Sequence, residues 1–538
     1  MATSCNVLLV FPKFNPKSFW SFEGVLHVVG SRYPAPPLGM ITVAAMLPSD
    51  WCVRLVNRNA EKLTDADLAW ADMVMTGGMH SQQTDTQEII GLCQDRKIPV
   101  VVGGPDVTSS PHVYANADFR VVGEAEDSLP KFIAAWRRGE RQGYFEAPLF
   151  QTDVRKTPIP RFDLLDFNQY LFIGVQFSRG CPFTCEFCDV IELLGRQPRS
   201  KTPEQMLAEL DALYHLGYRG HVDIVDDNLI GNKKAVKEFL LRLIEWQKTH
   251  GYPFMFSTEA TLNLADEPQL LQLMRNANFF VIFTGIESPD PETLLHMSKK
   301  LNIQHNIIES VQRINGAGIF VIGGFVIGFD SEKGRIAAPM VQCIEDTGIP
   351  VAMVGRLHAL PNTQLTRRLE REGRLFPGLG VDSDRRSGGL CFGGLNFETA
   401  RPRADVLRDH VEILSHVYDA DTFFERLHRT VLPLPRLNLG VRVLLRDSWR
   451  DAHRLRRILW EVTVNRPAIR GRVWKLVFKC VARNPRSLHV LLFAVVFFLY
   501  LEPLTAYATH ETKKQIDDIE TGRWRSPLAS PISEPLIR

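Results

Sequence analysis

The sequence predicts an α/β protein built from two parallel-strand units and a mostly helical C-terminal region. Short apolar runs alternate with helical stretches over residues 1–145, and a second alternation of the same kind covers 171–375. A repeated order of strand, helix and strand is typical of parallel sheets. After about residue 380 the pattern becomes mostly helical. At 538 residues the chain is too long for one hydrophobic core, and we expect several domains.

The first unit, residues 1–145, is predicted to be a doubly wound parallel sheet. Helix candidates at 38–47 and 81–97 separate its apolar runs. Glycine-containing loops follow two of these runs and should lie beyond the carboxyl ends of the strands, where such sheets bind ligands. The predicted strands are 6–12, 51–57, 71–78, 98–105 and 119–126.

The second unit, residues 171–375, follows a proline-bearing linker at 146–170 and is predicted to be a partial barrel. Amphipathic helices such as 202–217 and 233–251 separate six apolar runs, which gives a (βα)6 order. In such barrels the functional residues lie at the carboxyl ends of the strands. The predicted strands are 171–177, 221–227, 253–260, 279–287, 319–329 and 350–360.

The rest of the chain is predicted to form a mostly helical domain at 376–435, a membrane-associating tail at 436–510 and a disordered end at 511–538. Residues 436–486 hold fourteen Arg and Lys against three Asp and Glu, a balance of +11, although the whole chain has a net charge of +2. Cations alternating with Trp and aliphatic residues are typical of helices at a membrane interface. The twelve apolar residues 490–501 are few for a membrane span and fit a buried or interfacial segment.

Two other interpretations of this tail stay open. Its helices can pack on the barrel with solvated basic faces, or its cations can bind nucleic acid, which is disfavoured because no RNA-binding module accompanies them. The nine cysteines lack the spacing of a disulfide framework, and the first residues lack the features of a signal peptide. We therefore expect a cytoplasmic protein that associates peripherally with the inner face of the cell membrane.

Three cysteines stand close together in FSRGCPFTCEFCDV (177–190), directly after the first predicted barrel strand. They are Cys181, Cys185 and Cys188. Structural zinc usually takes four Cys or His ligands in pairs, and no adjacent fourth ligand is present. An iron–sulfur cluster normally takes four cysteines, so that three leave one iron open to a substrate. The spacing therefore favours a [4Fe-4S] cluster over a zinc knuckle or incidental thiols.

With its cysteines at this place, the chain resembles the radical S-adenosylmethionine (SAM) superfamily. The resemblance implies that the open iron binds SAM, whose reductive cleavage gives a 5′-deoxyadenosyl radical. The motifs IVDDN, STEA, GIES and GGFVIGF match the strand ends that hold SAM in that superfamily, although a carboxylate that ends a strand can also cap the next helix. The implied SAM-binding residues are Phe187, Asp226, Asp227, Glu259, Glu287, Gly324 and Gly328.

The unit that precedes the barrel is similar to the cobalamin-binding group of that superfamily. The segments YPAPPLGMITVAAMLP (33–48), VVGGPDVTSSP (101–111) and VVGEAEDSLPKF (121–132) carry this likeness and imply a Rossmann-like cobalamin-binding domain. A purely structural domain is the alternative. The Asp-x-His-x-x-Gly motif that supplies a lower axial histidine is absent after the first strand, and we expect cobalamin without a histidine ligand. The implied cobalamin-binding residues are Asn57, Asn59, Thr76, Gly77, Gly103, Gly104, Gly123 and Glu124.

The resemblance implies a C-methyltransferase that acts on an unactivated carbon, with no catalytic residue beyond the cluster ligands. The region after residue 375 is similar to radical SAM enzymes of membrane lipids, notably the hopanoid 2-methylases. We therefore expect a membrane lipid as substrate, a hopanoid methylated at C-2 of the A ring, and an electron donor of the ferredoxin or flavodoxin type. The alternatives are an enzyme that forms a C–C bond or ring on another lipid or natural product, and a cobalamin-sensing regulatory protein with an inactive barrel.

Overall fold

The computed structural model describes residues 4–529, apart from 16, 20, 304, 378–392 and 436–447. Both predicted parallel-strand units are present, and the C-terminal region is helical. The strands of the first unit are β1 (Asn6–Phe11), β2 (Cys52–Asn57), β3 (Met73–Gly77), β4 (Val100–Gly103), β5 (Phe119–Val122) and β6 (Gly143–Glu146).

The first sheet is parallel throughout, with the order β2-β1-β3-β4-β5-β6. Its order reverses between β1 and β3, and ligands of doubly wound sheets bind at such a switch point. The sequence pattern did not predict β6, an edge strand whose four residues GYFE alternate between half-buried and exposed. A strand this short and this exposed has no apolar run by which it could be recognised.

The second sheet is the predicted six-stranded partial barrel. Its strands are β7 (Ile173–Val175), β10 (Gly220–Ile224), β11 (Phe254–Glu259), β12 (Phe279–Glu287), β13 (Phe320–Ile327) and β14 (Ala352–Arg356). They pair in parallel and in chain order from β7 to β14. A two-stranded antiparallel ribbon, β8 (Ser178–Arg179) and β9 (Arg199–Ser200), brackets the cysteine loop between them.

Helices cover the sheets and form the C-terminal region. Local signals set their ends: Thr202 forms a capping box at one start, and the left-handed Gly251 ends another helix. The α-helices are Leu26–Val29, Leu38–Met46, Asp65–Trp70, Gln83–Asp95, Pro105–Ser109, Ala125–Arg137, Val190–Leu193, Pro203–His215, Lys233–His250, Pro268–Asn276, Pro291–His296, Lys300–Ile303, Ile307–Gly316, Ala337–Thr347, Gln364–Arg371, Arg403–Val417, Ala420–Val431, Ser448–Trp460, Pro467–Arg483 and Leu488–Glu520. A π-helical turn follows at Glu461–Asn465, and short 3₁₀ turns are His80–Gln82, Pro111–Tyr114, Val154–Lys156, Phe162–Leu164, Phe167–Gln169, Leu229–Asn232, Leu262–Asp266, Pro485–Ser487 and Pro527–Ala529.

The C-terminal helix, Leu488–Glu520, is much longer than its apolar segment, and the expectation of a disordered end is wrong for residues 511–520. Polar contacts hold its last turns: Thr512 accepts from Arg356, and Glu520 pairs with Arg408. The helix is long and apolar enough to cross a bilayer by length and composition, yet 67% of its apolar window is buried inside the protein. Residues 530–538 of the predicted disordered end lie outside the described residues.

The tail shares one hydrophobic core with the barrel, because the C-terminal helix packs against both the barrel and an N-terminal loop. Phe22 contacts the rings of Phe497 and Tyr500, each with centroids 5.0 Å apart. The preceding tail helix is also attached, since Arg454 Nε donates to the carbonyl of Val29 at 3.0 Å. Packing of the tail on the body, one of the interpretations left open by the sequence, therefore accounts for much of its apolar surface.

Candidate active site

A cavity of about 1280 Å³ joins the carboxyl edge of the first sheet, the interior of the barrel and the tail helices. Apolar side chains form most of its wall. Of the sequence-predicted site residues, Thr76, Gly77, Gly103, Gly104, Gly123, Glu124, Asp227 and Glu259 line it.

The cysteine loop lies at the carboxyl end of the barrel, between β8 and β9. All three thiols are partly buried, and burial raises the pKa of each. The charges of Cys185 and Cys181 also raise the pKa of Cys188, which indicates that the thiols influence one another. No group of three His, Cys, Asp or Glu side chains is already arranged for a metal in the described parts of the chain. The donor set still fits iron, since three thiols on one short loop are the ligands that iron–sulfur clusters use.

Backbone contacts fix this loop to the barrel on both sides. Cys181 N–H donates to Gly195 O at 3.2 Å, and Glu186 N–H donates to Met297 O at 3.0 Å. The Glu186 carbonyl accepts from Leu365 N–H at 2.9 Å. The loop is thus held by residues that follow β12 and β14 as well as by its own ribbon.

Asp226 is committed to the backbone that leads into the cysteine loop. Its carboxylate accepts from the N–H groups of Phe177 and Ser178, both at 2.7 Å, and from the Ser178 hydroxyl at 2.6 Å. Burial raises its pKa to about 7 despite these bonds. Asp226 therefore positions the strand end before Cys181, whereas Asp227, one residue later, faces the cavity.

Asp227 and Glu259 lie deep in the protein, and their side chains are exposed to the cavity. Burial raises the pKa of Asp227 to about 6, and burial together with neighbouring carboxylates raises that of Glu259 to about 8. Neither forms an ion pair with a described residue. Carboxyl groups whose pKa is raised in this way favour a cationic ligand, because a bound cation stabilises their charged form.

Glu287 has a partner that the sequence pattern did not reveal, the buried Lys299. Their side chains form an ion pair, and Asn302 donates to the carbonyls of Gly285 and Ile286 beside it. The charges of Cys185 and Cys188 act on Lys299, which places this cation next to the cysteine loop.

The remaining sequence-predicted SAM-binding residues adjoin the same end of the barrel. Phe187 meets Phe329 edge-on at 5.9 Å between ring centroids. A Cβ at Gly324 would lie 2.7 Å from the Phe283 ring. Gly328 has a φ of +99°, and a Cβ there would lie 2.6 Å from Leu395. The backbone conformation of Gly328 favours glycine, whereas a side chain at Gly324 would have to displace the Phe283 ring.

Two glycine pairs bring the ends of β3 and β4 together under the cavity. Gly77 has a φ of +154°, and a Cβ on it would lie 1.9 Å from the carbonyl oxygen of Gly103. Gly104, with a φ of +94°, lies against Gly78. No side chain fits between these strand ends, and the backbone itself therefore forms a flat wall of the cavity. Thr76 donates to Val10 O at 2.9 Å and joins this wall to β1.

Glu124 belongs to an ion-pair network between the two units. Arg179, the residue before Gly180 and Cys181, donates to Glu124 at 2.9 Å and to Glu126 at 2.8 Å. Arg199 on β9 donates to Glu124 at 2.6 Å. All four side chains are at most 16% exposed. Gly123 precedes the network with a φ of +79°.

Asn57 and Asn59 lie behind the cavity wall and shape the loop after β1. Asn57 Oδ1 accepts from the backbone and side-chain amides of Asn59 at 3.0 and 2.9 Å. Asn59 in turn donates to Pro12 O at 2.9 Å and accepts from Phe14 N–H at 2.8 Å. The side-chain amide of Asn57 donates to the Tyr170 hydroxyl at 3.3 Å, and neither asparagine lines the cavity.

A histidine and a carboxylate that sequence reasoning missed also line the cavity. His80, in the loop after β3, places Nδ1 3.1 Å from Asp106, which also binds Tyr114 and Gln83. A carboxylate on one ring nitrogen leaves the other nitrogen available and is typical of metal-binding histidines. In the sequence, the only indication of this pair was the histidine of GGMH before the helix. An isolated histidine is weak evidence for a site when its partner, Asp106, cannot be recognised.

Comparison with known proteins identifies the two units. The B12 binding domain family matches residues 25–133, and the radical SAM superfamily matches 175–335. A domain of unknown function, DUF4070, matches 363–515. The hopanoid C-2 methylase of Rhodopseudomonas palustris (strain TIE-1) is 35% identical over 517 residues, which cover 94% of this chain and 95% of the relative. The chain belongs to the cobalamin-dependent radical SAM methyltransferases.

A second relative of similar extent is a protein of Synechocystis sp. (strain ATCC 27184 / PCC 6803 / Kazusa) described as an uncharacterized methyltransferase. It is 42% identical over 485 residues, which cover 89% of this chain and 88% of the relative. Among solved structures, the cobalamin-dependent SAM radical enzyme OxsB with aqua-cobalamin and SAM bound has a TM-score of 0.60 at 15% identity and covers 97% of this chain and 82% of its own. The radical SAM methyltransferase TsrM from Kitasatospora setae has a TM-score of 0.55 at 15% identity over 70% of this chain and 77% of its own. At this identity both likenesses show the fold alone.

The cofactors of this cobalamin-dependent radical SAM methyltransferase are therefore a [4Fe-4S] cluster, SAM and cobalamin, as the sequence predicted. The donor chemistry fits each of them. Three thiols stand on one loop, two carboxyl groups without an ion-pair partner among the described residues face the cavity, and a wall of backbone at β3 and β4 offers a flat surface.

Proposed function

We propose that this enzyme methylates a hopanoid at C-2 of the A ring. The observation that carries the proposal is the apolar cavity, which runs from the cofactor end of the barrel to the tail helices in a chain that aligns with a hopanoid C-2 methylase over nearly its whole length. A polar or peptide substrate would not need such a wall. A rigid polycyclic lipid would be desolvated by it, which stabilises binding by about 25 cal/mol per Å² of apolar surface.

Each cofactor has a proposed set of residues. Cys181, Cys185 and Cys188 hold the cluster, and Asp227 and Glu259 accept from the amino group of SAM, with Phe187 beside its adenine. The cofactors supply the radical chemistry and the methyl group. The protein itself keeps water away from the reacting carbon and fixes its position. The glycine wall at Gly77 and Gly104 supports cobalamin, and an electron donor of the ferredoxin or flavodoxin type completes the system.

Arg179 and Asp226 act through position. Arg179 ties the start of the cysteine loop to Glu124 and Glu126 of the cobalamin-binding unit, and Asp226 holds the backbone of the two residues before Arg179. These contacts fix the position of the cysteine loop relative to the cobalamin-binding unit. Their separation across the cavity is then set by the fold, as capture of a methyl group by a substrate carbon requires.

The tail carries a surface suited to an anionic bilayer, here called the tail patch: Trp460, Val464, Phe478 and Val481. These side chains are 63%, 50%, 66% and 51% exposed. Trp474 lies between them, since it donates to Thr463 at 3.0 Å and contacts the Phe478 ring at 5.6 Å. The same part of the tail carries six exposed cations: Arg456, Arg457, Arg470, Lys475, Arg483 and Arg486. Exposed aromatic residues combined with cations are typical of surfaces that bind the interface of anionic membranes.

Replacing Trp460 and Phe478 by Glu is expected to detach the protein from membranes without unfolding it. Both side chains are mostly exposed, and their replacement removes apolar insertion and adds charges that anionic lipids repel. Flotation with vesicles containing phosphatidylserine or phosphatidylglycerol measures the bound fraction. Leu241→Glu, at a site 56% exposed on a barrel helix, is the matched control and should float like the parent protein. If the double variant floats to the same extent as the parent protein, the tail patch does not bind the membrane.

The substrate can be tested by a lipid profile from a hopanoid-producing host that lacks its own methylase. Expression of this chain with cobalamin under low oxygen is expected to give hopanoids heavier by one methyl group, with the methyl on the A ring by fragmentation mass spectrometry. The Cys188→Ala variant should give none. An unchanged profile from protein that still cleaves SAM would leave the radical chemistry intact and exclude hopanoids as substrate.

A further inference from the structure

The cavity ends in a group of polar side chains, here called the polar floor: His221, Asp223, Ser257 and His489. His221 and Asp223 alternate along β10 from its starting end, and Ser257 stands opposite Asp223 on β11. His489 belongs to the first turn of the C-terminal helix, which covers this end of the barrel. The Phe280 ring contacts both imidazoles, with centroids 5.0 Å from His221 and 5.8 Å from His489. The four polar side chains line the cavity at the end of the barrel opposite to the cysteine loop.

Hydrogen bonds fix the protons of the first three residues. The Ser257 hydroxyl donates to the Asp223 carboxylate, and it lies 2.6 Å from His221 Nε2. Because the hydroxyl proton goes to Asp223, His221 Nε2 carries the proton of that second bond. His221 Nδ1 is then an acceptor. Burial lowers the pKa of His221 to about 3 and raises that of Asp223. Burial therefore disfavours an ion pair between a charged imidazole and a charged carboxylate at this place.

His489 presents an acceptor that lacks a protein partner. Its Nδ1 lies 2.8 Å from the Arg486 carbonyl and must donate to it, because a carbonyl can only accept. Burial lowers the pKa of His489 to about 4, so that the ring is neutral and Nε2 has no proton. Among the described residues Nε2 is buried without a hydrogen-bond partner. A buried acceptor of this kind calls for a donor that the described residues do not supply.

The surroundings select a neutral donor on an apolar body. Phe172 packs on His221 at 5.1 Å, and Phe493 packs on Phe280 at 5.6 Å, so that the polar atoms are framed by rings. The charge of Arg275 reaches His489, yet its guanidinium donates to the carbonyls of Gly318 and Pro435. A phosphate or other anion would meet neutral imidazoles and a carboxyl group here, which is unfavourable. A hydroxyl group can donate its single proton to Nε2 of His489 or to Nδ1 of His221.

We infer that the polar floor binds a hydroxyl group at the end of the lipid remote from the methylated carbon. This inference rests on the proposed function and adds that the substrate is a hydroxylated hopanoid, discriminated from the plain hydrocarbon. A site built around a hydroxyl group rejects an analogue that lacks it, because the buried polar atoms of the site are then left unpaired. The floor thus sets both the choice of lipid and how far the ring system enters the barrel.

The test is competition between two lipids in the purified holoenzyme. A hopene hydrocarbon and the hopanol obtained by hydrating its side-chain double bond are presented at equal amounts in mixed vesicles, and bound and methylated lipids are measured by mass spectrometry. The parent enzyme is expected to prefer the alcohol about tenfold, the effect of one or two neutral hydrogen bonds. His489→Phe should bring the ratio near one, and His489→Gln, which restores an acceptor, should recover part of it.

His296→Phe is the control, since His296 is 65% exposed on a barrel helix and should leave the ratio unchanged. Equal binding of both lipids by the parent enzyme, with methylation of both, would overturn the polar floor and leave the proposed function standing. Binding of neither lipid would overturn both. A preference for the alcohol that survives in His489→Phe and in Ser257→Ala would also overturn the assignment.

Discussion

The Cys188→Ala variant is expected to lose SAM cleavage and lipid methylation together, down to the background of the assay. Two thiols remain on the loop, and a [4Fe-4S] cluster with one open iron needs three. Formation of 5′-deoxyadenosine from SAM under reducing conditions measures the cleavage, and bound iron measures the cluster. Cobalamin retention should persist, because the cobalamin-binding unit has its own sheet and core clusters.

Cys52→Ala is the matched control for this loss. Cys52 is an exposed thiol on β2, far along the chain from the loop, and its removal should leave iron content and SAM cleavage at the parent level. Retained SAM cleavage in Cys188→Ala would contradict the assignment of the cysteine loop as the site of the cluster. A protein in which all three cysteines were dispensable while cobalamin binding persisted would match the regulatory alternative instead.

Arg179→Leu is expected to lower the free energy of unfolding by about 3–5 kcal/mol, the cost of leaving buried charges unpaired. Glu124 and Glu126, whose side chains are 9% and 6% exposed, lose the cation that they share, although Glu124 keeps Arg199. Thermal and urea unfolding of the apoprotein measure the effect. Arg155→Leu removes an exposed pair with Asp153 and should change the unfolding free energy by less than about 0.5 kcal/mol.

The loss in Arg179→Leu should shrink in acid. Burial alone would raise the pKa of Glu126, but the hydrogen bonds and charge of Arg179 outweigh it, and the pKa is lowered from 4.5. The pair therefore stabilises the fold above about pH 4.5, and its contribution is lost as the pH falls through the lowered value. A difference between the two proteins that stays constant from pH 7 to strongly acid conditions would contradict this role of Glu126.

The barrel was predictable from the sequence because burial on both faces leaves continuous apolar runs. The run 279–287 matches β12 residue for residue, and four of the other barrel strands fall within their predicted segments, while β10 begins one residue before its segment. The carboxylates at the strand ends were also predicted from the sequence, but the pattern could not distinguish the role of Asp226 from that of Asp227. Adjacent residues of a strand end point in different directions, and only the fold shows that one carboxylate binds backbone amides and the other faces the cavity.

Long-range pairs lay beyond any sequence pattern. Arg179 meets Glu124 across 55 residues, and His489 joins a floor formed by residues more than 200 positions earlier. The tail was misread at its end because polar residues 511–520 look solvated in sequence, whereas Arg356 and Arg408 hold them from the body of the protein. Composition left packing and membrane binding both open for the tail, and only the fold shows that its helices pack on the body of the protein.

Reconstituted enzyme with methyl-deuterated SAM tests the central claim most directly. Purified protein with cluster and cobalamin, a low-potential reductant and a hopanoid alcohol in vesicles should give a product in which one A-ring hydrogen is replaced by a trideuterated methyl group, together with 5′-deoxyadenosine. The Cys188→Ala protein should give neither. Formation of 5′-deoxyadenosine at an unchanged rate with and without the lipid, and no deuterated hopanoid, would contradict a hopanoid substrate.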